Sequence, residues 1–205
     1  ATNKTTGSKA AIKIAKGTTS SNLLLNEASI LKEIDNEFFP KFIDYKEEVI
    51  SNKSYLIMEY IEGLTLEQYI NEDKTFSEKE ALSYIKQIVL SIKSLHSKEI
   101  VHRDIKPSNV IITNKGIIKI IDFKGGYYTE SIDIWGVGII LASLLLGSWI
   151  SSWLTTNKTR TWDLYSNIIE FIENYSDSTK SMLKLLLSSE PHKRPSPDEI
   201  ISMLS

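Results

Sequence analysis

The chain has 205 residues, with 26 acidic and 24 basic side chains, a formal net charge of −2 and no cysteine. This length is enough for one large domain with a sizeable buried core, or for two small ones. The lack of cysteine excludes disulfides, thiolate metal sites and a thiol nucleophile, and the near-neutral charge does not suggest a nucleic-acid surface.

The apolar segments argue against membrane insertion. The longest apolar run, residues 138–147, is too short to cross a bilayer, and no signal peptide opens the chain. We therefore expect a soluble, cytoplasmic protein. Because the chain begins at Ala1 and not at Met, we expect a fragment or a processed form.

The first predicted elements are a strand at residues 10–14 and a helix at about residues 20–34. Apolar residues recur along the helix at 3.6-residue spacing. They are Leu23, Leu24, Ile30, Leu31 and Ile34. Glu27 falls inside this stripe, and a buried carboxylate is costly without a cation. Lys13 on the strand is the natural partner; the alternative is that Glu27 lies at the edge of the stripe and reaches water.

Two more strands are predicted at residues 42–50 and 54–60. Two capping boxes follow, Thr65-Leu66-Glu67-Gln68 and Ser77-Glu78-Lys79-Glu80. The second box opens a long helix with Leu82, Ile85, Val89, Ile92 and Leu95 on one face. His96 near the end of that helix has no second ligand at i±3 or i±4, so we interpret it as a cap or surface group.

A hairpin is predicted next, from β-branched runs at residues 110–113 and 117–121. Asn114 and Gly116 between the runs suit the positive φ of a tight turn. Asp104 and Asn109 precede the first strand and Asp122 follows the second. Such oxygen ligands suit a hard cation that also holds phosphates. The plainer alternative is a polar turn that leads into an ordinary hairpin.

The order of residues 102–123 resembles the catalytic core of eukaryotic-type Ser/Thr protein kinases. The family pattern H-R-D-x-x-x-x-N is matched in full, and Asp-Phe of the D-F-G triplet follows. The resemblance implies that Asp104 accepts the proton of the substrate hydroxyl and that Asn109 and Asp122 hold magnesium. Lys106 is similar to the lysine of Ser/Thr-directed kinases that contacts the transferred phosphate.

The same resemblance implies a nucleotide-binding set, with ATP as the cofactor. Its members are Lys13, Glu27, Met58, Glu59, Ile61 and Ile111. Ala-Ala-Ile-Lys ending at Lys13 resembles the family's V-A-I-K, whose lysine contacts the α- and β-phosphates. Residues 55–63 resemble the last small-lobe strand and the hinge. Met58 would be the gatekeeper, and the backbone of Glu59 and Ile61 would bind the adenine edge.

Later segments fit a large kinase lobe. The helix opened by residues 131–138 is apolar on nearly every side, and Asp133 within it resembles the residue that anchors the catalytic loop through backbone hydrogen bonds. We expect His102 to pack in the core. Arg194 resembles an arginine that pairs with a glutamate in the family. The tryptophans in residues 148–167 could form a partner surface, although we favour packing of loops onto the domain.

The resemblance implies an α+β, two-lobed protein-kinase-like fold. Residues 1–61 would form a truncated small β-sheet lobe with one helix, and residues 62–205 a larger, mainly helical lobe. Two family features are absent from the sequence: the G-x-G-x-x-G loop and most of the activation segment. Lys124 stands where the D-F-G glycine belongs, and no A-P-E occurs before Asp133. We therefore expect that a segment is omitted between Phe123 and Gly125.

The first function hypothesis is a Ser/Thr protein kinase that uses ATP and Mg²⁺ to phosphorylate a protein substrate. The complete set of catalytic residues favours it. The alternative is a pseudokinase or minimal kinase-like scaffold, which the absent segments favour. A kinase for a small molecule is a third class that needs no docking segment. Oligomeric state is not predicted.

Overall fold

A computed structural model of the chain describes residues 1–2, 4, 7–72, 74, 76–124, 129–148, 150 and 164–205. It has a small β-sheet part with one helix and a larger, mainly helical part, which confirms the expected α+β, kinase-like architecture. The boundary between residues 61 and 62 stays a prediction. The proposed omission touches residues 125–128, and the tryptophan segment includes Trp149 and residues 151–163, all outside the described residues.

The small part is an antiparallel sheet covered by one helix. Its elements are β1 (Ala10–Lys16), α1 (Thr18–Glu33), β2 (Phe42–Glu48) and β3 (Lys53–Glu59). The strand order is β1-β3-β2, so β3 is central. In this register Lys13 lies opposite Leu56. The three predicted strands are confirmed, with ends shifted by one or two residues.

Helix α1 begins earlier than predicted, after Gly17, which caps it with φ 85°. Leu24, Glu27, Ala28 and Leu31 form its buried stripe at i, i+3, i+4 and i+7. Placing Leu23 in that stripe was wrong, since this side chain is 56% exposed. Adjacent helical residues point about 100° apart, so Leu23 turns away from the side on which Leu24 is buried. Glu27 is 5% exposed, so the edge-glutamate alternative is wrong.

A second antiparallel sheet contains the hairpin that was predicted at residues 110–121. It contains β4 (Gly63–Thr65), β5 (Val110–Thr113) and β6 (Ile118–Ile120) in the order β4-β5-β6. The Thr113 N–H donates to the Ile117 carbonyl at 2.9 Å, which leaves a three-residue loop. Such a loop needs one left-handed residue, and Gly116 supplies it with φ 73°. Expecting positive φ at Asn114 was therefore wrong.

The larger part is built from helices. They are α2 (Leu66–Asn71), α3 (Glu78–His96), α4 (Ser131–Leu146), α5 (Leu164–Ile168), α6 (Asp177–Leu186) and α7 (Pro197–Met203). Both predicted capping boxes form, at α2 and α3. Helix α4 packs against α3 and α6, whereas α1 packs against the first sheet. Within the described ranges, no helix is both long and apolar enough to cross a membrane.

Helix α4 touches residues 102–109, the predicted catalytic loop, at Gly136. A Cβ atom at this position would lie 2.5 Å from the Ile105 carbonyl oxygen, far inside van der Waals contact. The backbone of α4 can approach the loop this closely only because Gly136 has no side chain. The central helix therefore positions the loop directly.

Candidate active site

The catalytic loop is fastened to α4 by one buried carboxylate. Asp133, 1% exposed, accepts hydrogen bonds from the backbone N–H groups of His102 and Arg103 at 2.9 and 2.8 Å. Arg103 has φ 69°, a left-handed conformation that is uncommon for a non-glycine residue. The expected anchoring contact of Asp133 is thus present, and it holds the loop at its most strained point.

His102 is buried in the core, as predicted. Its Nε2 lies 3.1 Å from the Ile121 carbonyl, and its Nδ1 accepts the Asp104 N–H at 3.3 Å. One nitrogen donates and the other accepts, which is the pattern of a neutral imidazole. Burial lowers the pKa of His102 to about 4, in spite of the neighbouring carboxylates. The ring also packs 4.6 Å from that of Phe123.

His96 makes a buried contact that the sequence did not predict. Its side chain is buried, and its Nε2 lies 3.0 Å from a carboxylate oxygen of Asp133. Interpreting His96 as a cap or surface group was therefore wrong. A search at i±3 and i±4 could not find the partner, because the two residues are 37 positions apart. Asp133 and His96 meet because α3 packs along α4.

Asp104 is the centre of a polar cluster. The Asn109 amide donates to its Oδ2 at 2.8 Å, Lys106 lies 3.0 Å from the same oxygen, and Lys124 lies 3.0 Å from Oδ1. Burial raises the pKa of the Asp104 carboxyl, but hydrogen bonds from the two lysines and from Asn109 outweigh it. The pKa therefore lies below its usual value, and Asp104 is ionised near neutral pH.

Asn109 and Asp122 offer oxygen atoms to a cation. The Ile121 N–H donates to the Asn109 carbonyl at 2.9 Å, which brings the residue before Asp122 against the catalytic loop. Because the Asn109 amide nitrogen donates to Asp104, its Oδ1 is the side-chain atom left to bind a metal. An amide oxygen and a carboxylate fit magnesium, which takes few protein ligands when phosphates supply others.

No group of three or more His, Cys, Asp or Glu side chains with the spacing of a metal site occurs among the described residues. Asp122 itself has φ 68° and forms an ion pair with Lys13. The predicted phosphate-binding lysine and a predicted metal ligand are therefore in contact.

The predicted ion pair between Lys13 and Glu27 is present, with 2.5 Å between Nζ and Oε1. Burial raises the pKa of Glu27, and the charge and hydrogen bond of Lys13 oppose that rise. This contact places α1 against β1, the position that we expect for an active-like arrangement. Lys13 thus joins α1 to Asp122.

The residues predicted to form the hinge lie along the end of β3 and the segment after it. Met58 is buried, and the Glu59 N–H donates to the Lys41 carbonyl at 2.9 Å. Ile61 makes no backbone hydrogen bond to another described residue. The side chain of Ile111 lies on β5 close to Gly63, where the hinge enters β4. The structure therefore brings Ile111 to the hinge.

Arg194 has partners other than a glutamate. Its Nε donates to the Ser188 carbonyl at 3.0 Å, one terminal nitrogen donates to the Ser131 carbonyl at 2.9 Å, and its guanidinium lies over the Trp135 ring. The start of α4 is fixed by these contacts. No carboxylate is needed to hold Arg194 in place.

The two-part fold and the loop geometry define a protein kinase, and comparison with known proteins agrees. The chain belongs to the protein kinase family: the family described as protein kinase domain matches residues 1–126. The chain is 34% identical over 150 residues to serine/threonine-protein kinase PrkC of Bacillus subtilis, covering 59% of this chain and 23% of that protein.

Two eukaryotic relatives align with nearly the whole chain. The probable serine/threonine-protein kinase pXi of Dictyostelium discoideum is 29% identical over 238 residues, covering 98% of this chain and 32% of that protein. The sperm motility kinase Tcr mutant form of Mus musculus is 27% identical over 231 residues, with 98% and 47% covered. The chain thus spans less than half the length of each of these relatives.

The alignment with the Dictyostelium protein also contains gaps in this chain. It runs over 238 positions, whereas this chain has 205 residues, so at least 33 positions pair a residue of the relative with none in this chain. These positions lie within the aligned region.

Proposed function

We propose that the protein is a Ser/Thr protein kinase that transfers the γ-phosphoryl group of ATP to a hydroxyl of a protein substrate. One observation carries the proposal, namely a continuous series of contacts across the site. Asp104 binds Asn109, Asn109 binds the backbone beside Asp122, and Asp122 pairs with Lys13. The expected base, metal ligands and phosphate-binding lysine therefore lie in one place.

Asp104 would act as the base. Its low pKa keeps it ionised near neutral pH, so that it can accept the proton of a substrate hydroxyl. Lys106 lies 3.0 Å from Oδ2 of Asp104 and would contact the phosphoryl group during transfer. Little covalent chemistry falls to the protein, since phosphoryl transfer depends mainly on positioning and on charge neutralisation.

Asn109 and Asp122 would hold magnesium, which neutralises phosphate charge when bound. Lys13 would contact the α- and β-phosphates, while the backbone of Glu59 and Ile61 would bind the adenine edge. Glu27 orients Lys13, because the 2.5 Å ion pair leaves the ammonium little freedom. Met58 and Ile111 would form apolar walls next to the adenine.

A second function is favoured by Lys124. This lysine occupies Oδ1 of Asp104, the oxygen that Lys106 and Asn109 leave open. In a pseudokinase or kinase-like scaffold, Asp104 would not need to accept a proton, so its ion pair with Lys124 and the short activation segment both suit that function. Such a module would bind a partner, with or without nucleotide, and would not transfer phosphate.

Nucleotide binding and phosphate transfer distinguish the two functions. We expect ATP to raise the melting temperature of the protein only when magnesium is present, and we expect transfer to a generic Ser/Thr protein substrate. Asp104→Asn should reduce transfer by about 10²-fold or more and leave binding nearly intact. Asp122→Asn should weaken the magnesium-dependent part of binding. Binding without transfer would support the scaffold.

A further inference from the structure

Lys119 connects the catalytic hairpin to the small part of the molecule. It lies on β6, and its ammonium donates to the Phe39 carbonyl and to Oε2 of Glu59, both at 3.1 Å. The next residue, Ile120, donates its N–H to the Phe38 carbonyl at 2.8 Å. Strand β6 is thus fastened both to the loop before β2 and to the hinge.

Glu59 is held at both its backbone and its side chain. Its N–H donates to the Lys41 carbonyl at 2.9 Å, and its Oε2 accepts the Lys41 N–H at 3.1 Å as well as the Lys119 ammonium. Lys119 is only 12% exposed and the Glu59 side chain 35%, so water competes weakly at the lysine end. Charge-assisted hydrogen bonds with this degree of burial hold their geometry better than surface pairs.

The pair borders open space on one side. A cavity of about 340 Å³ lies beside the pair, lined by Glu37, Glu59, Glu62, Lys115 and Lys119 among others. Among the described residues, the Glu59 carboxylate accepts hydrogen bonds from the Lys119 ammonium and from the Lys41 N–H. The position of the Glu59 side chain depends on Lys119 and on the Lys41 backbone.

We propose that Lys119 is a positioning residue for nucleotide binding. This inference rests on the proposed function, in which the Glu59 backbone binds adenine and Asp122 holds the metal. Lys119 stands on the strand that leads directly to Asp122, and it grips the side chain of Glu59. One ammonium therefore sets the distance between the part of the site that binds adenine and the part that binds phosphate.

The test compares Lys119→Met with Lys115→Met. Lys115 lies on the same hairpin and borders the same cavity, but it is exposed and forms no ion pair with another described residue, so it is a matched control. Lys119→Arg is the conservative variant, since a guanidinium can donate to both acceptors. Glu59→Gln keeps the acceptor for the Lys41 N–H but removes the charge that Lys119 needs.

Hydrogen exchange of the backbone amides gives a readout that does not depend on activity. We expect Lys119→Met to speed exchange at Glu59 and Lys41, because the Lys41 N–H is bound by the Glu59 carboxylate that Lys119 holds in place. Lys115→Met should leave both rates unchanged, and Lys119→Arg should restore them in part. If Lys119→Met does not fold, Glu59→Gln should show the same local increase.

Kinetics and binding then test the functional half. Lys119→Met should raise the KM for ATP and the Kd of a non-hydrolysable ATP analogue about three- to tenfold, with kcat changed less than about twofold. Unchanged exchange at the hinge would overturn the inference, and so would equal effects of Lys119→Met and Lys115→Met. If the wild type binds no nucleotide, the proposed function fails, whereas faster hinge exchange in Lys119→Met would still show that Lys119 fixes the hinge.

Discussion

The two sides of the candidate site are held by different kinds of contact. On the large side, Asp133 binds the backbone N–H groups of His102 and Arg103, so a buried carboxylate fixes the chain itself. On the small side, Lys13 and Glu27 meet through their side chains, from a strand and a helix that pack together. Lys13 is 29% exposed, whereas Asp133 is almost fully buried.

This difference predicts different consequences of damage. A backbone contact to a buried group is part of the folded core, so its loss should lower stability and activity together. A side-chain ion pair between two elements can break when the helix moves, while the core stays intact. The catalytic loop should therefore be preformed, and the position of α1 should be adjustable.

The largest expected effect is that of Asp133→Asn. In the variant, an amide nitrogen replaces one of the two carboxylate oxygens, and this nitrogen cannot accept a hydrogen bond. At least one buried N–H, that of His102 or that of Arg103, is then left without an acceptor. We expect a loss of about 3 kcal/mol or more in the free energy of unfolding, measured by urea denaturation. Asp198→Asn, at an exposed aspartate paired with Lys93, should change it by less than about 1 kcal/mol. Equal losses would refute the comparison.

His102 should make the large side sensitive to acid. Its pKa is about 4 in the folded state against the ordinary 6.5, so the unfolded chain binds a proton between these values and the folded chain does not. The neutral His102 therefore makes its full contribution to stability above about pH 6.5. This contribution declines as the pH falls from 6.5 and is lost below about pH 4. The loss approaches about 3 kcal/mol.

The measurement is the slope of unfolding free energy against pH between 6.5 and 4.5. We expect His102→Gln to be less stable at neutral pH but to show a flatter slope than the wild type. His192→Gln is the control, because His192 is exposed and its removal should leave the slope nearly unchanged. A wild-type slope shared by His102→Gln would contradict the buried, neutral imidazole.

Loss of the Lys13–Glu27 ion pair should lower the free energy of unfolding less than Asp133→Asn does. Lys13→Met leaves Glu27 buried without its cation, and we expect a loss of about 1–3 kcal/mol in unfolding free energy at neutral pH. Since burial already raises the pKa of Glu27, the variant should bind a proton there more readily than the unfolded chain does. Its deficit should therefore shrink as the pH falls, and Lys13→Met with Glu27→Gln should recover part of it. A deficit that grows on acidification would exclude this explanation.

Much of the fold followed from sequence periodicity and capping. The stripe of α1 placed Glu27 inside, and the cost of burying a carboxylate identified Lys13 as its partner. The capping boxes at Thr65 and Ser77 fixed where α2 and α3 begin. These features depend on residues close together in the chain, or on one charge that needs another.

The contacts that sequence reasoning missed join residues that are far apart in the chain. His96 binds Asp133 across α3 and α4, and no spacing rule connects them. Lys119 alternates with Ile118 and Ile120 along β6, a pattern that indicates only a polar side. Its acceptors include a backbone carbonyl, which has no sequence signature. Such pairs become visible only when the packing of elements is known.

The smallest expected effect belongs to Lys124, whose side chain is 61% exposed. Lys124→Gly removes the cation on Oδ1 of Asp104 and leaves Lys106 and Asn109 on the other oxygen. The pKa of Asp104 should rise, because burial would then be opposed by fewer hydrogen bonds. We expect the acid limb of the kcat profile to move to higher pH, while kcat at neutral pH changes by less than about fivefold.

High salt should shift the acid limb of the wild-type kcat profile in the same direction, since an exposed ion pair is screened. Lys184→Gly, in the last turn of α6, controls for loss of a positive charge elsewhere. An acid limb that neither the substitution nor salt can move would mean that Lys124 does not reach Asp104. That result would favour the expectation from sequence that further residues separate Phe123 from Gly125.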